Sequence, residues 1–287
     1  MRIKPREAAH PAGIHKLKPS QVRIPLSQQV LAGLDLNARL YDAAFVADRT
    51  RLMPVAEMPH GDERLSSMAE MIKEADGGSL RTFSGNRTHE NGWWPSFKRR
   101  RLQHWEGSTQ RFALLAAECD FTVEWAQTEP CLLSFPLGDH WFEWYADLWI
   151  SRFDGPDEIW EIKSSERQLE KPGYRLKMAG AHEVLRRIGI RHRIVMADEI
   201  IQNRFHRNNL ELFASRRFVT IPPEHMRRFE AFALGNGPES TYGELANAID
   251  RDCPARGAAI LQGLVVRRRV EIDLTDMLSN RTPVRLH

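Results

Sequence analysis

Residues 141–166, WFEWYADLWISRFDGPDEIWEIKSSE, constrain this chain more than any other stretch. They predict two β-strands and a turn. Residues 142–151 are dense in Trp, Phe, Tyr and Ile, which suit a pleated, half-buried surface. Asp154-Gly155-Pro156-Asp157 is turn chemistry. In residues 158–163, Ile159, Glu161 and Lys163 alternate with Trp160 and Ile162, so Glu161 and Lys163 leave one face of a strand. If the two strands pair, Asp147 lies near both. Two carboxylates offer hard oxygen ligands to Mg²⁺, or to Mn²⁺, and such an ion polarises a phosphate and activates water. The lysine orients that water or stabilises developing charge. The same residues can also be read as a solvated cross-strand ion pair.

Asp … Glu-x-Lys resembles the signature of the PD-(D/E)xK nuclease superfamily, with Ala146 where the loose pattern often has proline. What surrounds the motif decides between the two readings. The chain has 287 residues, 42% of them hydrophobic, which is enough for more than one packed unit. Its net charge of +3 permits a nucleic-acid partner without requiring one. Cys119, Cys131 and Cys253 are scattered, with no Cys-x-x-Cys, so no zinc site is expected and a cytoplasmic location is. The first residues predict no signal peptide, and no apolar run is long enough for a membrane span. There is no phosphate-loop motif and no Gly-x-Ser-x-Gly elbow.

Residues 1–82 read as a basic, proline-bearing arm, partly ordered, with possible helices at 28–39 and 64–75. Residues 83–101, FSGNRTHENGWWPSFKRRR, predict a loop in which Arg87, Lys98, Arg99, Arg100 and Arg101 interleave with Trp93, Trp94 and Phe97. Cations meet phosphates and rings stack on bases, so Arg87, Trp94, Lys98, Arg99, Arg100 and Arg101 are candidate DNA contacts. A solvated charge run beside two core tryptophans is the structural alternative. His89 and Glu90 read as surface residues.

Residues 104–119 have helical spacing, with Ser108 or Thr109 as N-cap. Short strands follow towards Phe135. Beyond Lys163, a helix over residues 174–188 ends at Gly189, and residues 191–197 form a strand. Asp198 caps a helix over 199–205, and 208–216 forms another. Strand, helix and strand after Glu-x-Lys imply a mixed α/β sheet. Pro222-Pro223 and Gly235-Asn236-Gly237-Pro238 open a last unit. In it, helices at 242–249 and 255–264 precede a strand over 265–274 with Arg267, Arg268 and Arg269 at its middle. That order reads as a winged helix, with the three arginines as further candidate DNA contacts.

From about Phe83 to Arg217 the chain resembles the TnsA-type endonuclease subunit of heteromeric transposases. The matching pieces are Trp94-Pro95-Ser96-Phe97-Lys98, His104-Trp105-Glu106, a helix, Glu129-Pro130, the Asp147 strand, Glu161-Ile162-Lys163, and Asn208-Asn209-Leu210. The resemblance implies a restriction-endonuclease-like mixed sheet flanked by helices over residues 83–221, and a winged-helix-like domain over 222–287. It also implies Mg²⁺-dependent cutting of DNA at transposon ends, an integrase-like partner transposase and an ATP-dependent transposition regulator. No membrane partner is expected.

The chain departs from the family at one position. The family pattern near the first helix is Trp-Glu-Ser-x-x-Glu, whose last Glu completes the metal site; here Gln110 matches it. A neutral amide ligates through its carbonyl oxygen without adding charge. Either Glu106, four residues earlier, substitutes for it, or Asp147 and Glu161 alone hold the ion. Glu118 reads as a surface residue. The leading expectation is a DNA endonuclease with Asp147, Glu161, Lys163, Gln110 and Glu106 at its site. A catalytically weakened DNA- or partner-binding subunit on the same fold, or a restriction- or repair-type nuclease, is the alternative.

Overall fold

The structure is a computed structural model that describes residues 17–26, 68–81, 90–137, 140–170 and 172–287. In chain order the strands and helices are β1 (Gln21–Pro25), β2 (Glu70–Glu74), β3 (Asn91–Ser96), β4 (Arg101–Glu106), α1 (Ser108–Cys119), β5 (Val123–Thr128), β6 (Leu132–Leu137), β7 (His140–Tyr145), β8 (Leu148–Arg152) and β9 (Glu158–Lys163). There follow α2 (Pro172–Arg187), β10 (Arg191–Met196), α3 (Ala197–Ile200), α4 (Arg204–Ser215), α5 (Pro223–Asn236), β11 (Glu239–Thr241), α6 (Tyr242–Ile249), α7 (Pro254–Val266), β12 (Val270–Ile272) and β13 (Pro283–Leu286). The mixed α/β class expected from the sequence is present. The chain forms two compact units, and neither is continuous in sequence.

The first unit gathers the described part of Met1–Arg87 with Gln127–Ile150 and Gly155–Met196. One of its sheets has the order β1-β2-β6-β7, antiparallel throughout. Ile72, Leu80 and Leu132 form a core cluster there, with Tyr145 packed against it. The other has the order β10-β9-β8-β5, and the last residues of β5, Gln127 and Thr128, belong to this unit. β9 pairs antiparallel with β8 and parallel with β10, so this sheet is mixed. α2 makes the connection that parallel pairing requires, and Gly189, at φ 76°, ends it as expected.

Two expectations for this region are corrected. β1 and β2 are integral strands of a sheet, where the sequence implied a partly ordered arm, and residues 70–74, inside the helix expected at 64–75, form β2. The helix expected at 28–39, and Arg87 and His89, lie outside the described residues. The single strand expected over 142–151 is also two strands, β7 and β8, in different sheets. The break falls at Ala146 and Asp147. Ala146 is buried and its N–H donates to Cys131 O at 3.1 Å, the end of one ladder. The Asp147 N–H donates to Trp160 O at 3.1 Å, the start of the other.

The second unit gathers Thr88–Ala126, Ser151–Asp154 and Ala197–His287. Within the loop expected at 83–101, the described residues from Asn91 onward form a hairpin instead. β3 and β4 pair antiparallel, turning through residues 97–100 with Arg100 at φ 56°. Gly107, at φ 78°, is the N-cap of α1 in place of Ser108 or Thr109. α3 is only four residues long, and Asn203 starts α4 by accepting from the N–H groups of Phe205 and His206. Pro222-Pro223 opens a helix, α5, that the sequence reading missed; proline suits a first turn, where its absent N–H costs nothing.

Residues 222–287 do not stand apart. α7 is buried from Ile260 to Val266 and packs on α4 and α1 as well as on α6. Asn209 donates to Leu274 O at 2.9 Å and to Asp276 O at 2.7 Å. The separate unit expected there shares its core with residues 88–126.

Candidate active site

Asp147 sits at the junction between the two sheets of the first unit, with its backbone held from both sides. Its N–H bonds to β9, and its carbonyl accepts from Glu129 N at 3.1 Å. Its Oδ2 accepts from Ile162 N at 2.7 Å. That bond turns the side chain onto β9, between Glu161 and Lys163.

Glu161 is 5% exposed, too buried to be a solvated surface charge. Lys163 Nζ and the Tyr174 hydroxyl both donate to its Oε1. The Trp144 indole N–H donates to its Oε2 at 2.7 Å. Burial first, and then the charge of Glu161, push the Asp147 carboxyl well above the ordinary 3.8; Lys163 and the Ile162 N–H oppose the shift. Burial and Glu161 likewise push the Tyr174 phenol well up. So Asp147, Glu161 and Lys163 do come together, and two like charges face each other in a poorly solvated place.

Behind them lie residues the sequence reading gave no role. His192 packs edge-on against Trp144, ring centroids 5.0 Å apart, and burial lowers its pKa to about 3, so it is neutral. Glu129 takes φ 45°, which is rare for a residue with a side chain and falls immediately before Pro130. Arg81 holds its Oε2 through two bonds, at 2.8 and 2.6 Å. Strain of this kind gathers where the surroundings over-determine a position; here it delivers the N–H that holds Asp147 O. Trp144 was legible as part of the aromatic strand. Nothing in the sequence pointed to Tyr174.

The donor set suits one divalent cation. Asp147 and Glu161 are hard oxygen ligands whose mutual repulsion such an ion relieves, and Mg²⁺ keeps several waters when few carboxylates hold it. Among the described residues no third acidic, His or Cys side chain joins them in a metal-holding group.

Gln110 and Glu106 belong to the second unit, where their local roles are clear. Gln110 is N3 of α1, and its Oε1 accepts from Glu106 N at 2.7 Å. That is a helix-start bond, one residue displaced from a capping box. Glu106 ends strand β4, so the one-face helical relation expected between it and Gln110 does not exist.

The candidate DNA contacts of the second unit are largely engaged within it. Lys98 Nζ donates to Ala117 O at 2.9 Å and Asp120 O at 2.5 Å, closing the C-terminus of α1, and burial lowers its pKa to about 8. Glu118, expected at the surface, is 3% exposed and accepts from Ser96 Oγ, Phe97 N and Lys98 N. Arg217 lies 3.7 Å from the Trp94 ring centroid and covers a face that a base would need. Arg99 lies over Trp125, Arg101 is half-buried and Arg100 is exposed. Arg267 donates to Gly263 O and Val219 O, Arg268 to Phe121 O, and Arg269 to His287 O. These arginines bind segments of the unit to one another.

No protein-family model matches the chain, and no curated protein is significantly similar to it. No helix among the described residues is long and apolar enough to cross a membrane.

Proposed function

We propose that this chain is a metal-dependent DNA endonuclease whose site is Asp147, Glu161 and Lys163. One observation carries the reading: a hydrogen-bonded Glu161–Lys163 pair beside an Asp147 whose carboxyl is raised by burial and by Glu161. Perturbed groups with named partners mark functional sites more often than chance places them. The alternative of a solvated surface pair fits poorly with a Glu161 that is 5% exposed.

Asp147 and Glu161 would hold Mg²⁺ or Mn²⁺, which supplies polarisation of a phosphodiester and an activated water when bound. Tyr174 and Trp144 fix the Glu161 carboxylate between them. Lys163 balances the charge of Glu161 and stands ready to meet charge developing on a phosphate. The mixed sheet with α2 across it supports a restriction-endonuclease-like fold. The resemblance set out above supports a place in a heteromeric transposase, with transposon-end DNA, a partner transposase and an ATP-dependent regulator as partners.

The order α5-β11-α6-α7-β12-β13, with sheet order β11-β13-β12, supports a winged-helix-like module. Its last helix, α7, is buried and its arginines are engaged, which favours a role in assembly over reading DNA. The alternative, a subunit that binds without cutting, is favoured by Gln110, whose amide oxygen already serves the start of α1.

The test is cleavage of transposon-end DNA with Mn²⁺, with and without the partner transposase, by wild type, Asp147→Asn, Glu161→Gln and Lys163→Ala. Product from wild type and none from the variants is expected. Equal product from wild type and Lys163→Ala would sink the proposal.

A further inference from the structure

We propose that Lys177 is the phosphate-binding cation of this site, meeting the backbone of a nucleic-acid strand beside Asp147 and Glu161. The inference rests on the nuclease reading and deepens it. Tyr174 and Lys177 are three residues apart on α2 and so share one helix face. The Tyr174 hydroxyl bonds to Glu161, which ties that face to the site. Lys177 Nζ lies 5.3 Å from the Tyr174 ring centroid, and Lys163 Nζ lies 5.1 Å from the same centroid. Two ammonium groups therefore flank one ring whose hydroxyl is on the candidate ligand.

The cations here differ in what they already hold. Lys163 is bound to Glu161, and Arg81 is bound to Glu129. Lys177 is half-buried and lies over the Tyr174 ring, with no hydrogen bond or ion pair among the described residues. A half-buried ammonium has lost part of its hydration and keeps three N–H donors to place. Burial lowers its pKa, and the charge of Glu161 only partly offsets this. A phosphodiester offers unhindered anionic oxygens in charge-assisted bonds. The ammonium, over the tyrosine ring, stands at the edge of the site.

The experiment measures binding of a mixed-sequence DNA duplex to the full chain in Ca²⁺, over a range of salt. The proteins are wild type, Lys177→Gln and Lys177→Arg. Lys177→Gln is expected to lose about tenfold in affinity and to lower the salt slope by about one. Lys177→Arg should restore both, and Mn²⁺ affinity should match wild type in each. A purely structural lysine would show no change in salt slope. Unchanged affinity and slope in Lys177→Gln, with Mn²⁺-dependent cleavage still abolished by Asp147→Asn, would overturn this inference and leave the nuclease reading standing. A wild type that binds no duplex would overturn both.

Discussion

Oδ2 of Asp147 accepts the N–H of Ile162 at 2.7 Å, in the middle of the Glu161-Ile162-Lys163 strand. One side chain thus completes a sheet ladder and places a carboxylate beside Glu161. The two roles conflict. The ladder bond needs only an acceptor, while the charge is costly next to Glu161. Asp147 therefore favours its protonated form in the folded state, relative to the ordinary 3.8. The folded chain then binds more protons than the unfolded one. Its stability falls as pH rises through the window above that value. Asp147→Asn keeps the acceptor and removes the charge. It should raise Tm at neutral pH without metal, flatten the acid-side slope of stability and abolish cleavage. Asp147→Ala should lower stability by about 1–3 kcal/mol, because Ile162 N–H is left unpaired. Urea unfolding at several pH values checks both, and a lower Tm for Asp147→Asn would contradict the argument.

Trp144→Phe keeps an aromatic ring against His192 and deletes the indole N–H on Glu161 Oε2. Outer partners of metal ligands matter by about 10–100-fold in affinity or activity. Mn²⁺ affinity measured by calorimetry should fall while the circular dichroism spectrum stays that of wild type. An unchanged affinity would mean that Tyr174 and Lys163 suffice to hold Glu161.

The strand that carries the motif was legible because local rules and tertiary context agree there. β9 has the expected bounds, Glu158–Lys163, and its alternation brings Glu161 and Lys163 to one site. Gly189 and the helix at Tyr242–Ile249 were legible for the same reason, and the structure starts the latter with a Thr241–Glu244 capping box. The strand break at Asp147 was not legible. Aromatic density predicts a strand but cannot say that the strand changes sheets. The basic loop misled in another way. Cations beside tryptophans suggest nucleic acid, yet Lys98 and Arg217 turn inward to a helix end and a tryptophan face. Pattern fixes residue type and spacing; whether a cation ends in solvent depends on carbonyls many residues away.

Glu118 and Lys98 latch the β3–β4 turn to the end of α1. Glu118→Ala leaves three donors, on Ser96, Phe97 and Lys98, without their acceptor. It should cost about 3 kcal/mol or more in urea unfolding. Lys98 has a pKa lowered from 10.5 to about 8, so the unfolded chain binds more protons between those values. Its contribution to stability should therefore rise as pH rises from about 8 to 10.5. The stability difference between wild type and Lys98→Met should grow across that window. A difference that shrinks would show that Lys98 stays charged in the fold.

Gln110 stands where the proposed nuclease reading would place a third carboxylate, and its structure assigns it a local task. The amide oxygen accepts from Glu106 N, and the residue is 6% exposed. Gln110→Ala should destabilise the start of α1 by about 1 kcal/mol. Gln110→Glu keeps an acceptor and adds negative charge in the first helical turn, where α1 has no acidic residue. The helix dipole favours that charge by a few tenths of a kcal/mol, about 0.3–1 at an exposed site; burial at Gln110 opposes the gain. Tm should therefore fall for Gln110→Ala and stay close to wild type for Gln110→Glu. Because the oxygen is engaged at a helix start, Mn²⁺ affinity should be the same in wild type and Gln110→Ala. A tenfold loss of Mn²⁺ affinity in a folded Gln110→Ala would instead make Gln110 a ligand, and Gln110→Glu should then bind Mn²⁺ more tightly than wild type, since a charged oxygen replaces a neutral one.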